Sequence, residues 1–191
     1  MKSCFSAKKL LLPVLLLVLP MFSNAESLCV ELVRRNLWQA TPAIDSMMKV
    51  QNRINGIVIH HTAGRSPVAS DESMIMKNIQ SYHMNERKWG DIAYHLLIAP
   101  SGRVYEGRDP RFVGDSGTKY DTDGLLMICF LGTYEKHLPT PEARHAMKKL
   151  VKNQMEKYQV DSTKIWCHRD LAQTDCPGTA LYQWVKKQKW D

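Results

Sequence analysis

Two imidazoles and a thiol are the most chemically capable combination in this chain. His168 and Cys176 stand eight residues apart in His168-Arg169-Asp170-Leu171-Ala172-Gln173-Thr174-Asp175-Cys176-Pro177-Gly178, with a Pro-Gly turn directly behind the thiol. Far upstream, Ile57-Val58-Ile59-His60-His61-Thr62-Ala63-Gly64 supplies a further nitrogen donor, His60. Taken singly, a His at a strand end is more often a hydrogen-bonded surface or core residue, and a Cys before Pro-Gly is more often structural. Jointly, two neutral imidazoles and one thiolate form a donor set for zinc. Three protein donors with an open fourth position are the pattern of a catalytic zinc rather than a structural one. The chemistry expected is therefore metal-assisted hydrolysis.

The elements that would position these groups can be read from hydropathy patterning. Ile54 to His61 is a short β-branched run, expected as a buried strand whose C-terminal end presents His60 and turns His61 to the opposite face. A helix is expected from an N-cap at Ser70, with Ile75, Ile79 and Tyr82 as its buried face, ending before Trp89-Gly90. Ile92 to Ile98, the turn Pro100-Ser101-Gly102 and Arg103 to Glu106 read as a hairpin. Residues 107–124 hold four Gly and four Asp and read as a long functional loop. Leu125 to Leu131 is wholly apolar, as a central strand buried on both faces would be. Thr140-Pro141-Glu142 opens a helix with the stripe Ala143, Ala146, Met147, Leu150, Val151, Met155 and Tyr158. Lys164 to Cys167 is a short strand delivering His168, and a last helix turns Leu181, Trp184 and Val185 inward. Strands alternating with helices, plus one hairpin, specify an α/β single domain: a central mixed sheet flanked by helices, with the zinc site at the strand ends.

Composition bounds the rest. The 191 residues are 44% hydrophobic and 24% charged, an ordinary globular balance. Lys2, Lys8 and Lys9 precede the thirteen-residue apolar run Leu10 to Phe22, too short for the roughly 20 residues a membrane helix needs. Ser23-Asn24-Ala25 fits the small-x-small cleavage rule, so residues 1–25 read as a signal peptide, with an uncleaved anchor as the alternative. Residues 26–53 follow as an N-terminal arm packed on the domain, and 54–191 as the domain proper. Cleavage removes three Lys and no acid, lowering the net charge from +7 to +4. No Lys/Arg run interleaves with stacking aromatics, so nucleic acid is not an expected partner. Cys129 sits inside an apolar strand; with Cys176 on the metal, Cys29 and Cys167 are a candidate bridge that the sequence does not establish.

Several spaced motifs also carry a resemblance. Arg35-Asn36-Leu37-Trp38, Ile59-His60-His61-Thr62-Ala63, Tyr82-His83-Met84, Trp89-Gly90-Asp91-Ile92-Ala93-Tyr94-His95, Val104-Tyr105-Glu106-Gly107-Arg108 and His168-Arg169-Asp170 occur in this order. The chain from about Val33 to Trp184 resembles the peptidoglycan recognition protein and type 2 N-acetylmuramoyl-L-alanine amidase family. The resemblance implies zinc ligands at His60, His168 and Cys176, a catalytic tyrosine at Tyr94, and a catalytic position at Thr174. It implies substrate contacts at His83, Arg108, Asp115 and Tyr120. It implies a Zn2+ cofactor, a peptidoglycan (muropeptide) substrate, a secreted or periplasmic location without stable membrane insertion, and action as a monomer. Tyr94 and Thr174 would donate to the oxyanion formed at the lactyl amide carbonyl. A separate general base is not assigned, since the position where some relatives use Glu matches Tyr94.

The chain also departs from the family. Relatives often read Gly-Ala-His in the long loop, where this chain has Val113-Gly114-Asp115. Tyr-Asn-x-x-Ser-Ile becomes Tyr120-Asp121-Thr122-Asp123-Gly124-Leu125. Two acids thus replace neutral polar groups in the expected groove, an arrangement expected to favour a basic third stem residue such as diaminopimelate. Members that only bind peptidoglycan typically lack the Cys ligand, so Cys176 favours an enzyme over a binding module. A thiol hydrolase pairing Cys176 with His168 is a third reading, separable by its indifference to chelators.

Overall fold

The computed structural model describes residues 30–190 other than residues 67 and 69. The expected signal peptide and Cys29 lie outside the described residues. In chain order the elements are β1 (Leu32–Val33), β2 (Gly56–His61), α1 (Glu72–Asn85), β3 (Leu96–Ile98), β4 (Val104–Glu106), β5 (Leu125–Phe130), α2 (Pro141–Tyr158), β6 (Ile165–Cys167), α3 (His168–Leu171) and α4 (Thr179–Lys186). Among the described residues the strands form one six-stranded sheet in the order β1-β4-β3-β5-β2-β6. Only the β3–β4 hairpin is antiparallel; the other pairings are parallel. This is the mixed α/β sheet the hydropathy pattern specifies.

Each face of the sheet buries its own cluster. Ile57 and Ile59 of β2 and Leu126 and Ile128 of β5 pack against Ala143, Met147, Leu150 and Val151 of α2 and Leu181 and Val185 of α4. The alternate residues of the same sheet, Leu97, Tyr105 and Cys129, pack on the other side with Met76 of α1 and Trp38 of the N-terminal arm. β5 is buried along its whole length, as its unbroken apolar run requires. α2 begins where its sequence says: the Thr140 hydroxyl accepts from Ala143 N–H at 3.1 Å and Pro141 occupies the first turn.

The arm is bound into the domain. β1 pairs with β4, Trp38 is fully buried and donates its indole N–H to the Glu106 carbonyl at 2.9 Å, and Arg35 forks onto Asp91 at 2.8 and 3.2 Å.

Two elements differ from the sequence reading. α1 starts at Glu72 with Asp71 as N-cap, and its buried residues are Glu72, Met76, Gln80 and His83, not Ile75, Ile79 and Tyr82. Its polar residues can be buried because each has partners. Glu72 accepts from Arg103 and Ser101 at 2.7 and 2.9 Å, Gln80 donates to Asp91 at 2.7 Å, and His83 Nδ1 accepts from Ala93 N–H at 3.0 Å. Tyr82 stands 53% exposed. The strand expected from Ile92 starts only at Leu96, because the backbone N–H groups of Ile92 and Ala93 bond to the Asp91 and His83 side chains instead of a neighbouring strand. Tyr94 therefore lies in the irregular segment before β3, not on a strand.

Candidate metal centre and cleft

Parallel pairing brings the two imidazoles together. Ile59 of β2 stands opposite Cys167 of β6, so the next residue along each chain, His60 and His168, emerges at the same carboxyl end of the sheet. Their ring centroids are 4.6 Å apart and both residues are buried. His61 points to the other face, where its Nδ1 accepts from Tyr134 N–H at 3.4 Å.

The thiol arrives on the loop after α3. The Cys176 carbonyl accepts from Arg169 N–H at 3.0 Å, and its own N–H donates to the Thr174 hydroxyl at 3.2 Å. Gly178 makes this approach possible: its φ is +92°, and a Cβ there would stand 2.5 Å from the Tyr134 backbone. The Cys176 Sγ then sits 3.4 Å from the His61 N–H and 3.7 Å from His60 Nδ1.

Donor atoms of His60, His168 and Cys176 all lie within 4.8 Å of one another. Tetrahedral zinc with ordinary bond lengths would place sulfur and nitrogen about 3.5 Å apart, close to the Cys176–His60 separation. His60 Nε2 is buried without a hydrogen-bond partner among the described residues. Burial pushes His60 well below the ordinary imidazole range and His168 down to about 4, so both rings are neutral donors at physiological pH. Burial pushes the Cys176 thiol up to about 12, opposed by the His61 N–H and by Arg169. A metal must therefore displace that proton, as thiolate ligation requires. The donor set, spacing and protonation of the imidazoles fit zinc.

The three groups open into a cleft of about 410 Å3 whose walls include Trp89, Tyr94, Asp115, Thr118 and Thr174. The Tyr94 ring lies 5.4 Å from that of His60. Burial holds its hydroxyl well above the usual tyrosine range, with the nearby Cys129 and Cys176 thiols and a hydrogen bond to Cys129 adding to the shift. Thr174 is half-buried in the loop before Cys176, as its sequence position implies.

The four residues expected to touch substrate fall in different places. Asp115 is on the cleft wall. His83 is beside it, with burial depressing its pKa to about 4 and its ring 4.9 Å from Trp89. The Tyr120 ring packs 5.2 Å from the His168 ring. Arg108 is 1% exposed and lies beneath the cleft: its guanidinium donates to the Ile92, Val113 and Asp91 carbonyls and to Asp115 at 2.5 Å. Direct substrate contact does not suit that burial; Arg108 fixes the loop that carries Asp115.

Sequence reasoning missed the α1 wall. Ile75, Ile79 and Tyr82 line a second depression of about 280 Å3, and Thr62 and Tyr94 line both it and the cleft. It also missed Trp89, Cys129 and the hydroxyls of Ser116 and Thr118 as site residues. No spacing rule marks these; a Ser-Gly-Thr loop reads as any other turn.

A His/His/Cys donor triad lies at the carboxyl ends of a mixed α/β sheet and opens into a cleft. The sequence profile of N-acetylmuramoyl-L-alanine amidase matches residues 50–179. Peptidoglycan-recognition protein SD of Drosophila simulans is 40% identical over 167 residues, covering 84% of this chain and 86% of that one. The crystal structure of Drosophila peptidoglycan recognition protein SD superposes with a TM-score of 0.78 at 33% identity, covering 85% of this chain and 97% of that one. Human PGRP-IBETAC, solved in complex with glycosamyl muramyl pentapeptide, superposes with a TM-score of 0.75 at 31% identity, covering 83% and 96%. The chain belongs to the N-acetylmuramoyl-L-alanine amidase family, among the peptidoglycan recognition proteins.

Proposed function

We propose that this protein is a secreted, zinc-dependent N-acetylmuramoyl-L-alanine amidase that hydrolyses the amide between the lactyl group of N-acetylmuramic acid and L-alanine. The observation that carries the reading is the His60, His168 and Cys176 donor set on the floor of a cleft that also holds Tyr94 and Thr174. Its substrate class rests on the family and on the muramyl pentapeptide bound by the human relative.

In this reading His60, His168 and the Cys176 thiolate hold zinc, which when bound supplies Lewis acidity for carbonyl polarisation and water activation. Tyr94 and Thr174 donate hydrogen bonds to the oxygen that gains charge as the lactyl carbonyl becomes tetrahedral. Each such donor contributes about 2.7–4 kcal/mol in a water-poor site. The raised Tyr94 pKa keeps its proton in place for that role. Asp115, held by Arg108, and His83 with Tyr82 offer the stem peptide one acidic and one aromatic wall. Tyr120 packs against the His168 ring. Export follows from the sequence features of residues 1–25, with 26–53 as the packed arm, 54–191 as the amidase domain, and the mature protein monomeric. Among the described residues no helix is long and apolar enough to cross a membrane.

Recognition without hydrolysis is the second reading, favoured by the relatives' being named as recognition proteins. Mass spectrometry of purified peptidoglycan after incubation decides between them. The amidase releases free stem peptides beginning at L-alanine, and chelator abolishes the release. Binding to the sacculus with no such peptide, at full zinc occupancy, refutes the amidase reading.

A further inference from the structure

Ser116 and Thr118 lie in the long loop and contact a proposed metal ligand from outside. The Thr118 hydroxyl is 2.6 Å from His168 Nε2, and the Ser116 hydroxyl is 3.3 Å from the same nitrogen. The two hydroxyls are 3.0 Å apart, and Ser116 Oγ also accepts from Thr118 N–H at 3.2 Å. The pair is thus braced by its own backbone before it reaches the imidazole. The Tyr120 ring, from the same loop, packs against the His168 ring at 5.2 Å.

An imidazole has two nitrogens, and engagement of one decides what the other can do. With Nε2 against a hydroxyl oxygen at 2.6 Å, Nδ1 is the nitrogen left for a metal. A neutral ring that ligates through Nδ1 carries its proton on Nε2, and that proton needs an acceptor in a buried place. Thr118 Oγ1 is such an acceptor, and its own proton can pass on to Ser116 Oγ. Outer partners of this kind fix the tautomer and orientation of metal-binding histidines, and losing them typically weakens metal affinity 10–100-fold.

We infer that Thr118, backed by Ser116, is the positioning residue for His168, holding it in the Nε2–H tautomer with Nδ1 directed to the metal. This rests on the zinc reading above and extends it to a loop that no ligand motif marks. It also links the Asp115 wall, three residues from Thr118, to the geometry of the centre.

The test uses the full mature protein, wild type, Thr118→Ser, and the double variant Ser116→Ala with Thr118→Val, which removes both acceptors. Zinc affinity is read by competition with a chromophoric chelator. The double variant is expected to bind zinc 10–100-fold more weakly, and Thr118→Ser to keep wild-type affinity because it keeps the hydroxyl. Equal affinity in the wild type and a folded double variant overturns the inference. Failure of the wild type to bind zinc overturns the zinc reading instead. In that event 15N chemical shifts of His168 in metal-free protein still decide the contact. A single Nε2–H tautomer that becomes mixed in the double variant upholds it; an unchanged tautomer overturns it.

Discussion

Acidification should destabilise this fold through His95, and the size of the effect can be worked from its surroundings. His95 is 2% exposed. Its Nδ1 accepts from Met127 N–H at 2.8 Å and its Nε2 lies 2.9 Å from the Phe112 carbonyl, so the neutral Nε2–H ring satisfies both partners. Protonation would set a second N–H against the Met127 N–H. Burial pushes the pKa down from 6.5 to about 4, the Phe112 carbonyl opposing and Arg108 assisting. The unfolded chain therefore binds a proton between pH 6.5 and 4 that the folded chain refuses. The stabilisation is complete at neutral pH and is lost as pH falls through 6.5 toward 4. At pH 5 the loss from this one residue is about 2 kcal/mol relative to pH 7. His83, also depressed to about 4, adds to it with the same sign. Urea denaturation at pH 7 and pH 5 measures the total, and NMR titration of the His95 ring isolates its share. A His95 that titrates near 6.5 in the folded protein, or a stability that does not change between the two pH values, refutes the reasoning.

Three substitutions bear on the centre. Tyr94→Phe should keep zinc and substrate binding while turnover falls about 10²–10³-fold with little change in KM; wild-type turnover in the folded, zinc-loaded variant would sink the oxyanion role. Cys176→Ala should lose most of its zinc at equal total metal, measured by elemental analysis after desalting, and full occupancy would remove Cys176 from the ligand set. Gly178→Ala, at φ +92° with its Cβ driven against Tyr134, should cost about 1–3 kcal/mol in thermal or urea unfolding and also weaken zinc binding by shifting the thiol loop. A variant as stable as wild type would show that the loop relaxes freely.

What the sequence made legible were the elements whose burial is apolar. β5 and α2 bury the residues their periodicity marks, and the cap at Thr140 forms as written. The meeting of His60 and His168 was legible because each follows a strand end, where parallel pairing brings them together, while Cys176 reaches them on the loop after α3. α1 was misread because Glu72, Gln80 and His83 go inward, each compensated by partners distant in sequence. Hydropathy has no access to such pairings, so it does not show that Ile75 and Ile79 are only partly buried against the core while also lining a depression, nor that Tyr82 is exposed. The strand before Leu96 was misread for a related reason: side chains of Asp91 and His83 take the N–H groups a strand would have used. Arg108 carries a charge that sequence reasoning places at the surface, yet four partners surround it in the interior.

The Ile59–Cys167 register has a consequence for how such a domain can change its trade. Two of the three donors are set by the strand ladder itself, which every hydrophobic contact of the sheet reinforces, while the third rides on a single loop residue. If the proposed zinc reading holds, replacing Cys176 would remove one donor and leave the cleft, the imidazole pair and the sheet standing. On the zinc reading, a metal-holding and a metal-free form of this scaffold would differ by one sulfur atom rather than by a change of architecture.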